Sequence, residues 1–185
     1  MPRAVLPRLV AVLVAAAGLV LLVVGVSRAG SSAAATDIVG RLPKVGQQVV
    51  VTAPGMTELA GSTLRVQASA ADPARPVFIG VGRADDVEAY VGSSGRVETT
   101  ALDSAGVLRV SVRGNGSLPD PASVDVWAAA VRSQGAATLT WPRTPGAWRL
   151  VVTTDGTAPP AAVQFTWSGS SGSSPAPALI AVGLV

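Results

Sequence analysis

Alternating apolar and polar residues dominate the middle of this 185-residue chain. In the segment STLRVQASA, Leu64, Val66 and Ala68 would lie on one side of an extended chain, and Arg65 and Gln67 on the other. The same period of two recurs in GVLRVSVRG, SVDVWAAAV, AATLTWP, GAWRLVVTTDG and AAVQFTWSG. Because the side chains of a β-strand point alternately to its two faces, this pattern predicts strands that each turn one face to a core.

Turn-forming residues separate these runs. They include Asp72-Pro73, the GNG of residues 114–116, the PDP of residues 119–121 and Asp155-Gly156. About eight or nine short strands at this spacing are typical of a mainly β protein. We therefore predict an antiparallel β-sandwich, Ig-like or jelly-roll-like, over residues 46–168.

One helical segment interrupts the strands. Val87, Tyr90 and Val91 have the spacing of a helix face, which predicts a short helix over Asp85–Val91. The strand before it ends in a Gly-x-Gly, as nucleotide-binding loops do, but the third glycine of such a loop is replaced by Asp85. We expect a buried strand, a glycine turn and an Asp-capped helical turn, with no bound nucleotide.

The segment LTWPRTPGAWRLVVTTDG predicts a core hairpin, in which Trp141 and Trp148 flank a proline-containing turn. An alternative interpretation gives the tryptophans a function. If Trp127, Trp141, Trp148 and Trp167 shared an exposed face, they would form a binding surface for sugar or peptidoglycan. These four residues are the candidate binding surface that the sequence offers.

The N-terminal region has the features of a membrane anchor. Nineteen uncharged residues, 9–27, follow Arg3 and Arg8 and precede Arg28. A helix of that length rises about 28 Å, close to the thickness of the hydrocarbon layer. We predict an uncleaved transmembrane helix over residues 9–27, with signal cleavage near residues 33–35 as the alternative. The arginines before it place residues 1–8 in the cytoplasm and the remainder outside.

The segments on either side of the β-domain have simpler compositions. We expect residues 28–45 to be a linker and residues 169–177 to be a Gly/Ser/Pro linker. Eight apolar residues, 178–185, follow. We interpret them as the start of a second, truncated transmembrane helix, with a short hydrophobic tail as the alternative.

Charge and composition exclude several kinds of chemistry. The chain has no Cys and no His, so a Cys/His zinc site is excluded and the commonest general base is missing. Of the 14 basic residues three lie in residues 1–28, so the remaining eleven balance all eleven acidic residues. We therefore expect no nucleic acid partner. Asp85, Asp86 and Glu88 are expected to form a solvated helix face, because no calcium-loop spacing is present. We expect no cofactor, metal, catalytic residue or enzymatic activity.

Two segments of the chain carry a resemblance to known proteins: they are RPVFIGVGRADDVEAYV and LTWPRTPGAWRLVVTTDG. In these segments the chain resembles a group of uncharacterised actinobacterial membrane proteins. In that group a PVFIG-like strand leads into a DVxxY helix, and an LTWPxxxGxW segment follows later. The resemblance implies a β-domain outside the membrane between two helices, and it implies no activity.

These observations predict a protein of the cell membrane, crossing it once or twice, with an extracytoplasmic β-domain. Its partner would be the lipid bilayer, and its role in the cell envelope would be structural or one of interaction. The alternative is a ligand-binding or sensory module that recognises envelope glycan or a partner protein.

Overall fold

The computed structural model describes residues 37–156 and 158–169. Within them lie ten strands, one α-helix and two single turns of 3-10 helix. The strands are β1 (Ile38–Arg41), β2 (Val49–Thr52), β3 (Thr63–Ser69), β4 (Pro76–Arg83), β5 (Arg96–Leu102), β6 (Leu108–Arg113), β7 (Trp127–Gln134), β8 (Ala136–Pro142), β9 (Trp148–Thr153) and β10 (Ala162–Ser168). The α-helix is α1 (Ala84–Val91).

The membrane-directed segments predicted from the sequence lie outside this range. Residues 1–8, the anchor at 9–27 and the apolar run at 178–185 are not among the described residues. The α-helix that is described has eight residues, and no helix in this part of the chain is long and apolar enough to cross a bilayer.

The strands form two sheets, so the prediction of a mainly β, sandwich-like protein is confirmed. The four-stranded sheet has the order β1-β10-β3-β8, and its pairs are all antiparallel. The six-stranded sheet has the order β6-β5-β2-β9-β4-β7. It is mixed, because β2 and β5 are parallel, and this corrects the all-antiparallel prediction. A parallel pair is possible here because the chain makes β3, β4 and α1 before it returns beside β2.

The main core lies between the two sheets. The alternation predicted for β3 is confirmed, since Leu64, Val66 and Ala68 are buried while Arg65 and Gln67 are exposed. Residues of both sheets share this core: they include Val50, Leu64, Val66, Val77, Ile79, Val81, Leu139, Leu150, Val152, Phe165 and Trp167. Burial of these side chains supplies most of the stabilisation of the fold, at about 1.5–3 kcal/mol for each large aliphatic or aromatic side chain.

The six-stranded sheet is covered on both sides at its centre. All four residues of β2 and all six residues of β9 are buried. On the outer side, Val49, Val51 and Val151 form a second apolar cluster with Val87 and Val91 of α1. The helix therefore covers the centre of this sheet, which explains why β2 is a continuous run of valines before its threonine.

The β-domain begins earlier than the sequence predicted. Residues 38–41, assigned above to a linker at 28–45, form β1 and pair with the last strand, β10. Ile38 pairs with Trp167 and Arg41 with Gln164. A strand of four residues that includes Gly40 is too short to show a period of two, which is why the pattern missed it.

The predicted hairpin at LTWPRTPGAWRL is wrong. β8 belongs to the four-stranded sheet and β9 to the six-stranded sheet, so the connection between them crosses from one layer to the other. The rings of Trp141 and Trp148 do meet, with centroids 5.1 Å apart, but they do so between the layers. Pro142 and Pro145 lack the N–H groups that a paired ladder would use at this point. β9 also requires a position at the centre of a sheet, because both its faces are buried.

Gly80 and Gly82 do not form the expected turn either. Both lie inside β4, and neither has a positive φ. A Cβ on Gly80 would lie 2.6 Å from the ring of Trp127, and one on Gly82 would lie 2.6 Å from the carbonyl oxygen of Val126. The two glycines therefore make room on the outer side of the sheet for Trp127 and for the chain that precedes it.

The predicted helix is confirmed, with one difference at its start. α1 begins at Ala84, and its N-cap residue is Arg83, whose side chain makes no capping hydrogen bond. Asp85 and Asp86 lie in the first turn. Their charges favour the helix dipole there, but neither aspartate is the cap.

We predict that Gly80→Ala lowers the free energy of unfolding by about 1–3 kcal/mol, because the new methyl group collides with Trp127. The measurement is urea denaturation of the full chain in a zwitterionic detergent, followed by fluorescence of its four tryptophans, which all lie in the β-domain. Gly46→Ala is the matched control, because nothing lies within 4 Å of its Cβ position. Equal effects of the two substitutions would contradict this account of β4.

Candidate functional site

The densest group of charged side chains lies on the outer side of the six-stranded sheet, beneath α1. Five residues form it in the order Arg96, Glu88, Arg149, Glu98 and Arg113, and we call it the Arg–Glu ladder. They come from α1 and from strands β5, β6 and β9. Each neighbouring pair in this order is joined by an ion pair.

Arg149 is the centre of the ladder. Its guanidinium donates from Nε to the carbonyl oxygen of Thr52 at 2.8 Å, and from Nη2 to Oε1 of Glu98 at 2.5 Å. Its Nη1 donates to Oε2 of Glu88. Only 6% of the Arg149 side chain is exposed, so the charge is removed from water and depends on these partners.

The outer members of the ladder differ in burial. Arg96 is also buried, and it donates to Oε1 of Glu88 at 2.8 Å and to the carbonyl oxygen of Gly92 at 2.6 Å. Gly92 is the C-cap residue of α1, so this arginine binds the end of the helix where its dipole is negative. Arg113 is exposed, and its Nε lies 2.7 Å from Oε2 of Glu98.

The ladder leaves no carboxylate oxygen free. Both oxygens of Glu88 and both oxygens of Glu98 contact guanidinium groups. A carboxylate that serves as a general base or nucleophile must instead reach a substrate atom. The arrangement therefore joins α1 to the sheet through Glu88, which lies between Arg96 and Arg149.

The three helix acids are exposed, as the predicted solvated face requires. Glu88 differs from Asp85 and Asp86 only in that it also pairs with Arg96 and Arg149 and so joins the ladder. Within residues 37–156 and 158–169, no group of three or more metal-ligating side chains comes together. The signal that could have revealed the ladder is an arginine inside the otherwise apolar run WRLVV, together with charges of opposite sign in RVE.

The four tryptophans do not form the expected binding surface. Trp148 and Trp167 are buried in the core between the sheets, at 6% and 1% exposure, and Trp141 packs on Trp148. Trp127 lies on the other side of the six-stranded sheet. Large rings fill space that small side chains such as valine and alanine leave in this core, and this accounts for their burial.

Trp127 instead holds a loop over the outer side of the six-stranded sheet. Its ring packs against Phe78 and Tyr90, with centroids 5.2 Å away in each case, and its Nε1 donates to the carbonyl oxygen of Pro121 at 2.8 Å. The hydroxyl of Tyr90 donates to the carbonyl oxygen of Pro119 at 2.6 Å. Burial, together with the negative charge of Asp120, raises the pKa of Tyr90, so this donor keeps its proton in alkaline solution where an exposed tyrosine would ionise.

The opposite surface of the protein has another character. We call the outer side of the four-stranded sheet the polar face; its members are Val39, Arg41, Thr63, Arg65, Gln67, Ser69, Thr138, Thr140, Ala162, Gln164 and Thr166. The four strands contain no Asp or Glu. Arg41 and Arg65 are exposed on it, and Lys44 is exposed just beyond β1. These three cations make no ion pair with any described residue, in contrast to the arginines of the ladder.

Two shallow depressions lie at one end of the polar face. One, of about 280 Å³, is lined by residues that include Gln67, Ser69 and Thr138. The other, of about 570 Å³, is lined by residues that include Arg41 and Lys44. Ala162 and Gln164 line both, so the two depressions are neighbours on this surface.

Comparison of the chain with protein-family models, with curated proteins and with solved structures finds no match.

We predict that Arg149→Met lowers the free energy of unfolding by about 3 kcal/mol, because it leaves Glu98 without its buried partner. Arg132→Met is the matched control. Arg132 forms an exposed ion pair with Asp120 at 3.5 Å, and its loss should cost less than about 1 kcal/mol. Urea denaturation followed by tryptophan fluorescence measures both; a loss below 1 kcal/mol for Arg149→Met would show that the ladder does not stabilise the fold.

Proposed function

We propose that the chain is a membrane-anchored module whose β-domain lies outside the cytoplasm and has a structural or interaction role in the cell envelope. The observation that carries this proposal is the pairing of the first strand with the last. β1 begins at Ile38, β10 ends at Ser168, and Ile38 pairs with Trp167 in an antiparallel ladder. Such partners have Cα atoms about 5 Å apart, so the chain enters and leaves the domain at the same end.

That arrangement suits a domain tethered at one end. In the sequence, the predicted anchor at residues 9–27 precedes the strand that begins at Ile38, and the predicted start of a second helix at residues 178–185 follows the strand that ends at Ser168. The resemblance to actinobacterial membrane proteins, in which a β-domain lies between two helices, supports the same topology. For the fold itself, an Ig-like or jelly-roll-like arrangement remains our finer proposal; the face-to-face packing of two sheets supports it.

The geometry favours a role without catalysis. The buried carboxylate Glu98 and its neighbour Glu88 are committed to arginines. The chain has neither His nor Cys to activate a nucleophile or water. The polar face exposes hydroxyl, amide and guanidinium groups to the surroundings of the domain.

A second candidate function is a ligand-binding or sensory module that recognises envelope glycan or a partner protein. The polar face favours it, because its three exposed cations have no ion-pair partner among the described residues. The sequence directed this hypothesis to the tryptophans, and we now propose the polar face as its surface instead.

The topology can be tested with single cysteines, because the chain contains none. We predict that Ser104→Cys, in an exposed turn, reacts with a membrane-impermeant maleimide on spheroplasts. Ala4→Cys, in the predicted cytoplasmic segment, should react only after lysis. Labelling of Ala4→Cys but not of Ser104→Cys on closed spheroplasts would overturn the topology. Loss of the Ala4→Cys signal from the mature protein would show that the leader is cleaved.

A further inference from the structure

We propose that the polar face binds a linear carboxylated polysaccharide, with Arg41, Lys44 and Arg65 pairing with its carboxylates. The proposal rests on the interaction role proposed above and gives that role a surface and a class of ligand.

Charge is unevenly distributed over the domain. All eleven acidic residues of the chain lie outside the four strands of this sheet. Asp37 is exposed directly before β1 and is the acid nearest to these strands in the sequence, so Arg41, Lys44 and Arg65 leave an excess of positive charge here. A surface with an excess of one sign of charge attracts a polymer of the opposite sign and raises its rate of association.

The cations are spaced for an extended ligand. Arg41 lies in the cross-strand row Arg41–Gln164–Gln67–Thr138, and Arg65 lies in the next row, beside Thr166. From the strand separation and the rise per residue, the Cα atoms of Arg41 and Arg65 are about 12 Å apart. One small anion would not bridge that distance, whereas a polymer with repeated carboxylates can contact both arginines.

The groups between the cations suit sugar hydroxyls. The side chains of Gln67, Gln164 and Thr138 line the smaller depression and make no hydrogen bond to any described residue. Each amide can both donate and accept, and so can the hydroxyl. A ligand that carries many hydroxyl groups as well as charges needs such hydrogen-bond donors and acceptors between the cations.

Two other classes of partner fit this surface less well. Protein interfaces use aromatic or large apolar residues as central anchors, and the four large hydrophobic side chains that are most exposed among the described residues lie off the polar face. They are Ile38, Leu59, Val107 and Val112.

The position of the depressions argues against lipid head groups. They lie at the Ser69 and Ala162 end of the sheet, about 20 Å along the strands from Ser168, where the chain leaves the domain. Within the polar face, this end lies farthest from the point at which the chain leaves the domain, which favours a polymer over the surface of the bilayer.

The experiment measures binding of the full chain, in a zwitterionic detergent, to immobilised polygalacturonate. Neutral dextran is the control ligand. We expect binding to polygalacturonate alone, and loss of that binding as sodium chloride is raised to about 0.5 M, because exposed charges are then screened. Arg65→Glu should weaken binding about fivefold or more.

Arg109→Glu is the matched control variant. Arg109 is likewise exposed on a strand and has no ion pair with a described residue, but it lies on the other sheet. Its substitution changes the net charge equally and should alter binding less than twofold. Absence of binding, or equal weakening by both variants, would overturn the proposal. So would Arg65-dependent binding to phosphatidylglycerol vesicles without binding to polygalacturonate, which would identify a lipid surface. None of these outcomes depends on the cysteine-labelling result, so the ligand and the topology are tested separately.

Discussion

Burial of strand β9 on both of its faces is the constraint on which the rest of the structure depends. On one side its residues complete the core with the four-stranded sheet, and on the other Val151 packs under α1. A strand of this kind must occupy the centre of a sheet, and its sheet must be covered on both sides. The position of α1, the close approach of Trp127 to Gly80 and the Arg–Glu ladder all follow from that requirement.

The two outer surfaces of the domain consequently differ in whether their charged side chains are paired. Beneath α1 the charges are paired, and Arg149 lies in the interior with every guanidinium nitrogen engaged. On the polar face Arg41 and Arg65 make no ion pair with any described residue. Burying an ion pair gains little stability over apolar packing, but removing one partner costs much. The first surface thus fixes the fold, and the second is the surface that we propose for binding.

The sequence predicted those features that depend on local pattern. Alternation in β3 and helical spacing at Val87 and Val91 gave the correct elements, because burial of one face imposes a period along the chain. Features set by distant contacts could not be predicted in this way. Arg149 meets Glu88 and Glu98, which are 61 and 51 residues away, and no local pattern encodes that contact. The crossing from β8 to β9 and the pairing of β1 with β10 likewise depend on which sheet each strand joins. The local pattern of a strand does not determine that.

The most direct test of this account is native-state hydrogen exchange of the full chain, comparing the amides of α1 with those of β9. If α1 is a necessary cover that the ladder fixes in place, its hydrogen-bonded amides, including that of Gly92, should exchange only through the global unfolding that also exposes β9. The two sets would then have the same free energy of opening. Exchange of α1 at a free energy several kcal/mol lower, with β9 still protected, would contradict the account, because β9 would then be stable without its cover.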